Sequence, residues 1–83
     1  MKINNEDYAA LKNAISGALG NCKVADVAAN YERVGLSEKR LRWDLLWSVQ
    51  NIVRQPIFDR IYKYAHDDHV DTALRRIVKE ISV

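Results

Sequence analysis

From Val70 onward the apolar residues fall at steps of three and four: Val70, Ala73, Leu74, Ile77, Val78 and Ile81. Only an α-helix gathers residues at that spacing onto one side. Similar stripes recur along the chain, and no segment alternates with the period of two that a half-buried strand needs. The chain is therefore predicted to be all-α. One stripe cannot bury itself, so the helices must pack into a bundle.

Punctuation sets the number of helices. A first helix is predicted from about Asn5, capped by Asn4 or Asn5, with Glu6 and Asp7 at the positive end of its dipole. Tyr8, Leu11, Ile15, Ala18 and Leu19 form its stripe, and Gly20 ends it. A second runs from about Lys23 to Val34, with Asn21 as cap and Val24, Val27, Ala28, Tyr31 and Val34 turned inward; Gly35 stops it. Ser37 caps a third, from Glu38 to about Arg54. Pro56 closes it, and in turn opens a short fourth helix lined by Ile57, Phe58, Ile61, Tyr62 and Ala65. The last spans His69 to Ile81, with Thr72, Arg75, Arg76, Lys79 and Glu80 on its wet side. The product is a compact single-domain bundle of four to five helices over residues 1–83.

A chain of 83 residues buries only about 60–65% of its unfolded surface, so its core is modest and a stabilising partner has value. Cys22 is the single cysteine. It can form no internal disulfide, which fits a reducing cytoplasm. It reads as a small, partly buried residue rather than a nucleophile. No apolar run approaches the ~18 residues of a membrane span, and the start MKINNEDY is too polar for a signal peptide.

The stretch HDDHVD, His66 to Asp71, holds both histidines and three aspartates. As a metal-dependent enzyme it would use His66 and His69, three apart on one helical side, with Asp67 or Asp68 adding an oxygen. The remaining ligands have no spacing signature. Helix capping explains the acids more simply, because Asp67, Asp68 and Asp71 sit where free backbone amides and the helix dipole attract carboxylates. No metal, cofactor or catalytic residue is assigned, and the chain is read as a non-enzyme.

The third helix carries more than it needs for packing. Stepping 100° per residue, Leu41, Leu45, Leu46, Val49, Ile52 and Val53 share a sector of about 140°. Trp43 and Trp47 fall outside it. They are either aromatics of the core or anchors for a partner, tryptophan and arginine being the residues that dominate interfaces; the core reading is favoured. The first turn holds Lys39, Arg40 and Arg42 behind Glu38, with Arg33 just before it. Cations there oppose the helix dipole, and beside free amides they form an anion-binding arrangement. Net charge is only +2, yet from Arg33 to Lys63 seven bases face three acids.

The segment YERVGLSEKRLRWDLL also has the helix–turn–helix form of DNA-binding proteins. Two residues depart from that pattern. Tyr31 stands where a small residue lets the helices touch, and Asp44 where an apolar residue packs inward.

The stretches KINNEDYAALKNAI, GLSEKRLRWDLLW and DDHVDTALRRIV resemble small helical proteins encoded by phages and prophages of enteric bacteria. The resemblance spans most of the chain. It implies a cytoplasmic protein of an infected bacterium that binds and blocks a host factor, defence nucleases included, and it carries over no catalytic residues. The expected function is stoichiometric binding of a host or phage protein through Arg33, Lys39, Arg40, Arg42, Trp43 and Trp47. Nucleic-acid binding through residues 33–42 is the alternative, and the metal-dependent enzyme a second. No membrane is expected as partner, and self-association stays open.

Overall fold

The computed structural model describes residues 3–64 and 69–81. Five helices follow one another: α1 (Asn5–Leu19), α2 (Val24–Arg33), α3 (Glu38–Ser48), α4 (Gln55–Tyr64) and α5 (His69–Ile81). The described residues contain no strand, so the all-α single domain expected from the spacing is what forms.

Local chemistry fixes the ends. Asn4 caps α1, its Oδ1 accepting from the Asp7 amide at 2.7 Å. Gly35 follows α2 at φ +82°, a conformation that is cheap only for glycine. There the Gly35 amide donates to the Glu32 carbonyl and the Leu36 amide to that of Tyr31, satisfying the carbonyls that the helix leaves free. Ser37 then caps α3, accepting from the Arg40 amide at 3.1 Å. Residues 34–37 thus end one helix and start the next, which leaves the α2–α3 turn little freedom.

The third helix stops six residues before the expected Arg54. Ser48 donates to the Leu45 carbonyl at 2.7 Å, a bond that competes with helical pairing. Val49, Asn51, Ile52 and Val53 are poor helix formers, and residues 49–53 form turns instead. Val49 still reaches the core, but Ile52, expected inside, is 54% exposed. Pro56 is the second residue of α4 rather than its first. Val34, Ala18 and Cys22 were also expected to be at least partly buried and are exposed. The acids Asp67 and Asp68, expected to cap α5, lie outside the described residues, as do His66 and Ala65.

The core is built by Leu11 and Ile15 of α1, Leu41, Leu45 and Leu46 of α3, Val49, Phe58 and Ile61 of α4, and Val70, Leu74 and Ile77 of α5. Helix α1 packs on α3, α4 and α5, whereas α2 rests chiefly on α3 and fully buries only Val24.

Polar cross-links tie this small core together. Asp7, wholly buried, accepts from Arg60 of α4 through both oxygens, at 2.8 and 3.1 Å. Arg42 of α3 is 3% exposed and donates from Nε to Asp71 of α5 at 2.6 Å. Its Nη1 lies 3.3 Å from Glu38. Glu80 of α5 gathers Tyr8 at 3.0 Å and Lys12 at 2.8 Å, both from α1.

Removing one partner of a buried pair strands the other charge, which costs about 3–5 kcal/mol. Asp71→Ala leaves Glu38 still 3.3 Å from Arg42 Nη1, so it is expected to lower unfolding free energy in urea titrations by less than that, about 1.5–3 kcal/mol. Arg75→Ala, which removes only an exposed partner of Asp71, should cost about 0.5 kcal/mol or less.

Candidate partner-binding face

The six residues expected to form a binding face do not share one environment. Arg42 does not belong there at all. Its guanidinium is inside, held by Asp71 and Glu38, because its position on α3 points it at α5 rather than at solvent. Arg40 is exposed but engaged, its Nε donating to Asp44 at 3.0 Å. Arg33 is exposed at the end of α2 and donates to Asn30 Oδ1 at 2.6 Å. Lys39 is exposed and, among the described residues, makes no ion pair.

The tryptophans divide as well. Trp43 is half-buried and packed against the core. Trp47, expected in the core, is 45% exposed. The early end of α3 leaves it beside α4, where its ring lies 5.9 Å from Phe58 and 5.8 Å, edge-on, from Tyr62. Phe58 and Tyr62 stack at 6.4 Å. Tilted and edge-to-face arrangements at these distances are the favourable ones for aromatic rings, so the exposed indole is held in place. Tyr62 is itself 42% exposed.

One turn before Trp47 a groove of about 640 Å³ opens between α3 and α5. Trp43, half-buried, gives it apolar surface, the buried core residues Leu46, Val70 and Leu74 lie beneath, and Lys39 and Arg75 supply its exposed cations. Arg42, Asp71 and Thr72 complete it. Burial alone would raise the Asp71 carboxyl, but hydrogen bonds and charge from Arg42 and Arg75 outweigh it and hold the group below its ordinary value. That depressed value means the pair contributes its full stability above the ordinary carboxylate value and loses it as pH falls from there through the lower folded value.

The two residues that break the helix–turn–helix pattern pair with each other. Tyr31 donates to Asp44 Oδ2 at 2.6 Å, so a large residue and an acid replace the usual small-residue contact and apolar packing. This hydrogen bond, together with burial and the Asp44 charge, raises the Tyr31 pKa.

Of the HDDHVD stretch, His69, Val70 and Asp71 are described. Asp71 gives one oxygen to Arg42 and the other to Arg75. Among the described residues, no group of three or more His, Cys, Asp or Glu side chains is placed to hold a metal ion.

Sequence reasoning missed Phe58, Tyr62, Val70, Leu74 and Arg75 as members of this face. Two helical signals were readable. Phe58 and Tyr62 are four apart on one side of α4, and Arg75 lies four beyond Asp71. Their placement against α3 was not, because it depends on how the helices pack. No family model, curated protein or solved structure matches the chain.

In an ultraviolet pH titration, Tyr31 should deprotonate above the ordinary tyrosine value of about 10. Asp44→Asn removes the carboxylate that holds the proton and should bring Tyr31 down toward that value. Because the folded value is raised, this contact stabilises the fold below the ordinary tyrosine value and is lost as pH rises through the folded one. Asp44→Asn should therefore flatten the alkaline loss of stability.

Proposed function

We propose that this chain is a non-enzymatic binding module that works stoichiometrically, docking a host or phage protein through the α3 side of the bundle. The observation that carries the reading is the indole of Trp47, half-exposed yet fixed by Phe58 and Tyr62. A rigid aromatic offers contact area at low entropic cost, which is why such residues anchor interfaces. Ile52, in the turn after α3, adds exposed apolar area.

The charge distribution favours a protein over a nucleic acid. Of the basic residues at 33–42, Arg42 is buried and paired, and Arg40 is paired with Asp44. Lys39, Arg33 and the outer nitrogens of Arg40, whose side chain stays 63% exposed, are left to meet phosphates, too few for strong backbone binding. The likeness to phage-encoded proteins adds the setting: the cytoplasm of an infected bacterium, and a partner that defends the host or handles nucleic acid. No described helix is long and apolar enough to cross a membrane.

Trp47→Ala is expected to weaken capture of the partner from bacterial lysate by about 2 kcal/mol, roughly thirtyfold in Kd. Circular dichroism and melting should first show that the variant folds. Nuclease treatment of the lysate should leave capture unchanged. Random duplex DNA, titrated across salt, should bind weakly with a slope no steeper than about −3, matching three phosphate contacts. A steeper slope would move the function to nucleic acid.

A further inference from the structure

Four of the five helices are bound to one another through charged groups. Asp7 and Arg60 tie α1 to α4, Arg42 and Asp71 tie α3 to α5, and Glu80 with Tyr8 and Lys12 ties α5 to α1. Helix α2 stands outside this network. Among the described residues its one polar side-chain contact with another helix is the hydrogen bond from Tyr31 to Asp44. Its apolar anchorage is thin as well. Val24 alone is fully buried, Val27, Ala28 and Tyr31 are half-buried, and the other six residues of Val24–Arg33 are exposed. Helices α1, α3 and α5 each bury four residues. Lys23 rather than Asn21 takes the N-cap position of α2 and gives it no side-chain hydrogen bond.

We infer that α2 is a detachable cover: residues 20–35 unwind as one unit while α1, α3, α4 and α5 keep their packing. Segments with few buried contacts open at a lower free energy than the body of a fold. The four remaining helices close on one another without α2, since α1 touches α3, α4 and α5, and α5 touches α3 and α4. The turn at 34–37, bonded on both sides, offers no hinge, so α2 leaves by unwinding rather than by swinging. What it gives up is the burial of Val24, part of three other side chains and one hydrogen bond; what it regains is the backbone freedom of ten helical residues. Opening uncovers the side of α3 around Leu41, where Ala28 and Tyr31 lie, and releases Asp44 from the Tyr31 hydroxyl. The chain thus holds a second apolar surface that is shown only while α2 is away. None of this involves Trp47, whose ring neighbours are on α4.

Hydrogen exchange of backbone amides, followed residue by residue across low concentrations of urea, reads each opening separately. Amides at residues 28–34 should exchange about tenfold or more faster than the slowest amides of α1, α3 and α5. Their rates should depend only weakly on urea, because unwinding α2 exposes little surface, whereas the others should rise steeply. Ile77→Val makes a small loss inside the core of the remaining helices, where Ile77 is fully buried. It should speed exchange in α1, α3 and α5 about fivefold and leave residues 28–34 unchanged, since the closed and α2-open forms lose the same contact. Tyr31→Phe keeps the ring and removes the hydroxyl, and should speed exchange at 28–34 about tenfold. Ala29→Gly, at an exposed position within α2, should do so about fivefold.

Equal rates and equal urea slopes in α2 and the other helices would overturn the detachable cover. So would Ile77→Val speeding residues 28–34 as much as the rest, because the bundle would then open only as a whole. Unchanged exchange at 28–34 in both Tyr31→Phe and Ala29→Gly would overturn it equally, since those amides would then exchange by some route other than the unwinding of α2. Partner capture through Trp47 enters none of these measurements, so failure of either reading leaves the other standing.

Discussion

The buried contact between Arg42 and Asp71 sets the relation of α3 to α5, and with it everything those helices present to solvent. Taking a guanidinium out of water costs several kcal/mol unless its donors are used. Here the Nε–H meets Asp71 at 2.6 Å and Glu38 stands within 3.3 Å of Nη1. Sliding either helix by one turn would break the contact with Asp71 and leave the guanidinium to Glu38 alone, so the pair works as a register pin. A well-packed apolar pair in the same place could be as stable, but it would tolerate more than one alignment. Asp7 and Arg60 do the same for α1 and α4. A chain too short for a large apolar core thus gains a unique arrangement from a few desolvated charges.

This use of charge explains the surface that remains. The acids on this side of the bundle are drawn into contacts: Asp71 to Arg42 and Arg75, Asp44 to Tyr31 and Arg40. What is left facing solvent along the α3–α5 groove is the cations of Lys39 and Arg75 beside the half-buried indole of Trp43. The electrostatic and apolar parts of the proposed recognition surface are therefore by-products of how the fold is secured. Weakening the buried pair would disturb both at once, whereas Lys39, outside it, can be changed without touching the framework.

Helix number, most boundaries and the apolar stripes were legible because they depend on local spacing and on residues such as Asn4, Gly20, Gly35 and Ser37. The α5 stripe names four residues that the fold buries, Val70, Ala73, Leu74 and Ile77. Charged residues were the illegible part. Arg42 and Asp7 look like ordinary surface groups, since nothing local marks which charge will find a partner 29 or 53 positions away. Tyr31 and Asp44 were readable only as departures from a motif. That each excuses the other becomes visible once α2 lies on α3. Trp47 was assigned inward for its size, a fair expectation that fails because it lies outside the sector of α3 that faces the core.

The early stop of α3 has the widest consequence. Continued to Arg54, α3 would have placed Ile52 within the same sector as Leu41 and Leu45, facing the core. Instead Ser48 turns its hydroxyl onto the Leu45 carbonyl, and the β-branched run that follows folds into turns. The chain reverses, α4 comes up beside the end of α3, and Phe58 and Tyr62 meet Trp47. An indole that an unbroken helix would have left alone in water is braced by two rings, and Ile52 is turned out. Leaving this much apolar area in solvent forgoes about 25 cal/mol for each Å² that could have been buried. Docking of the proposed partner over Trp47 and Ile52 would recover that contribution.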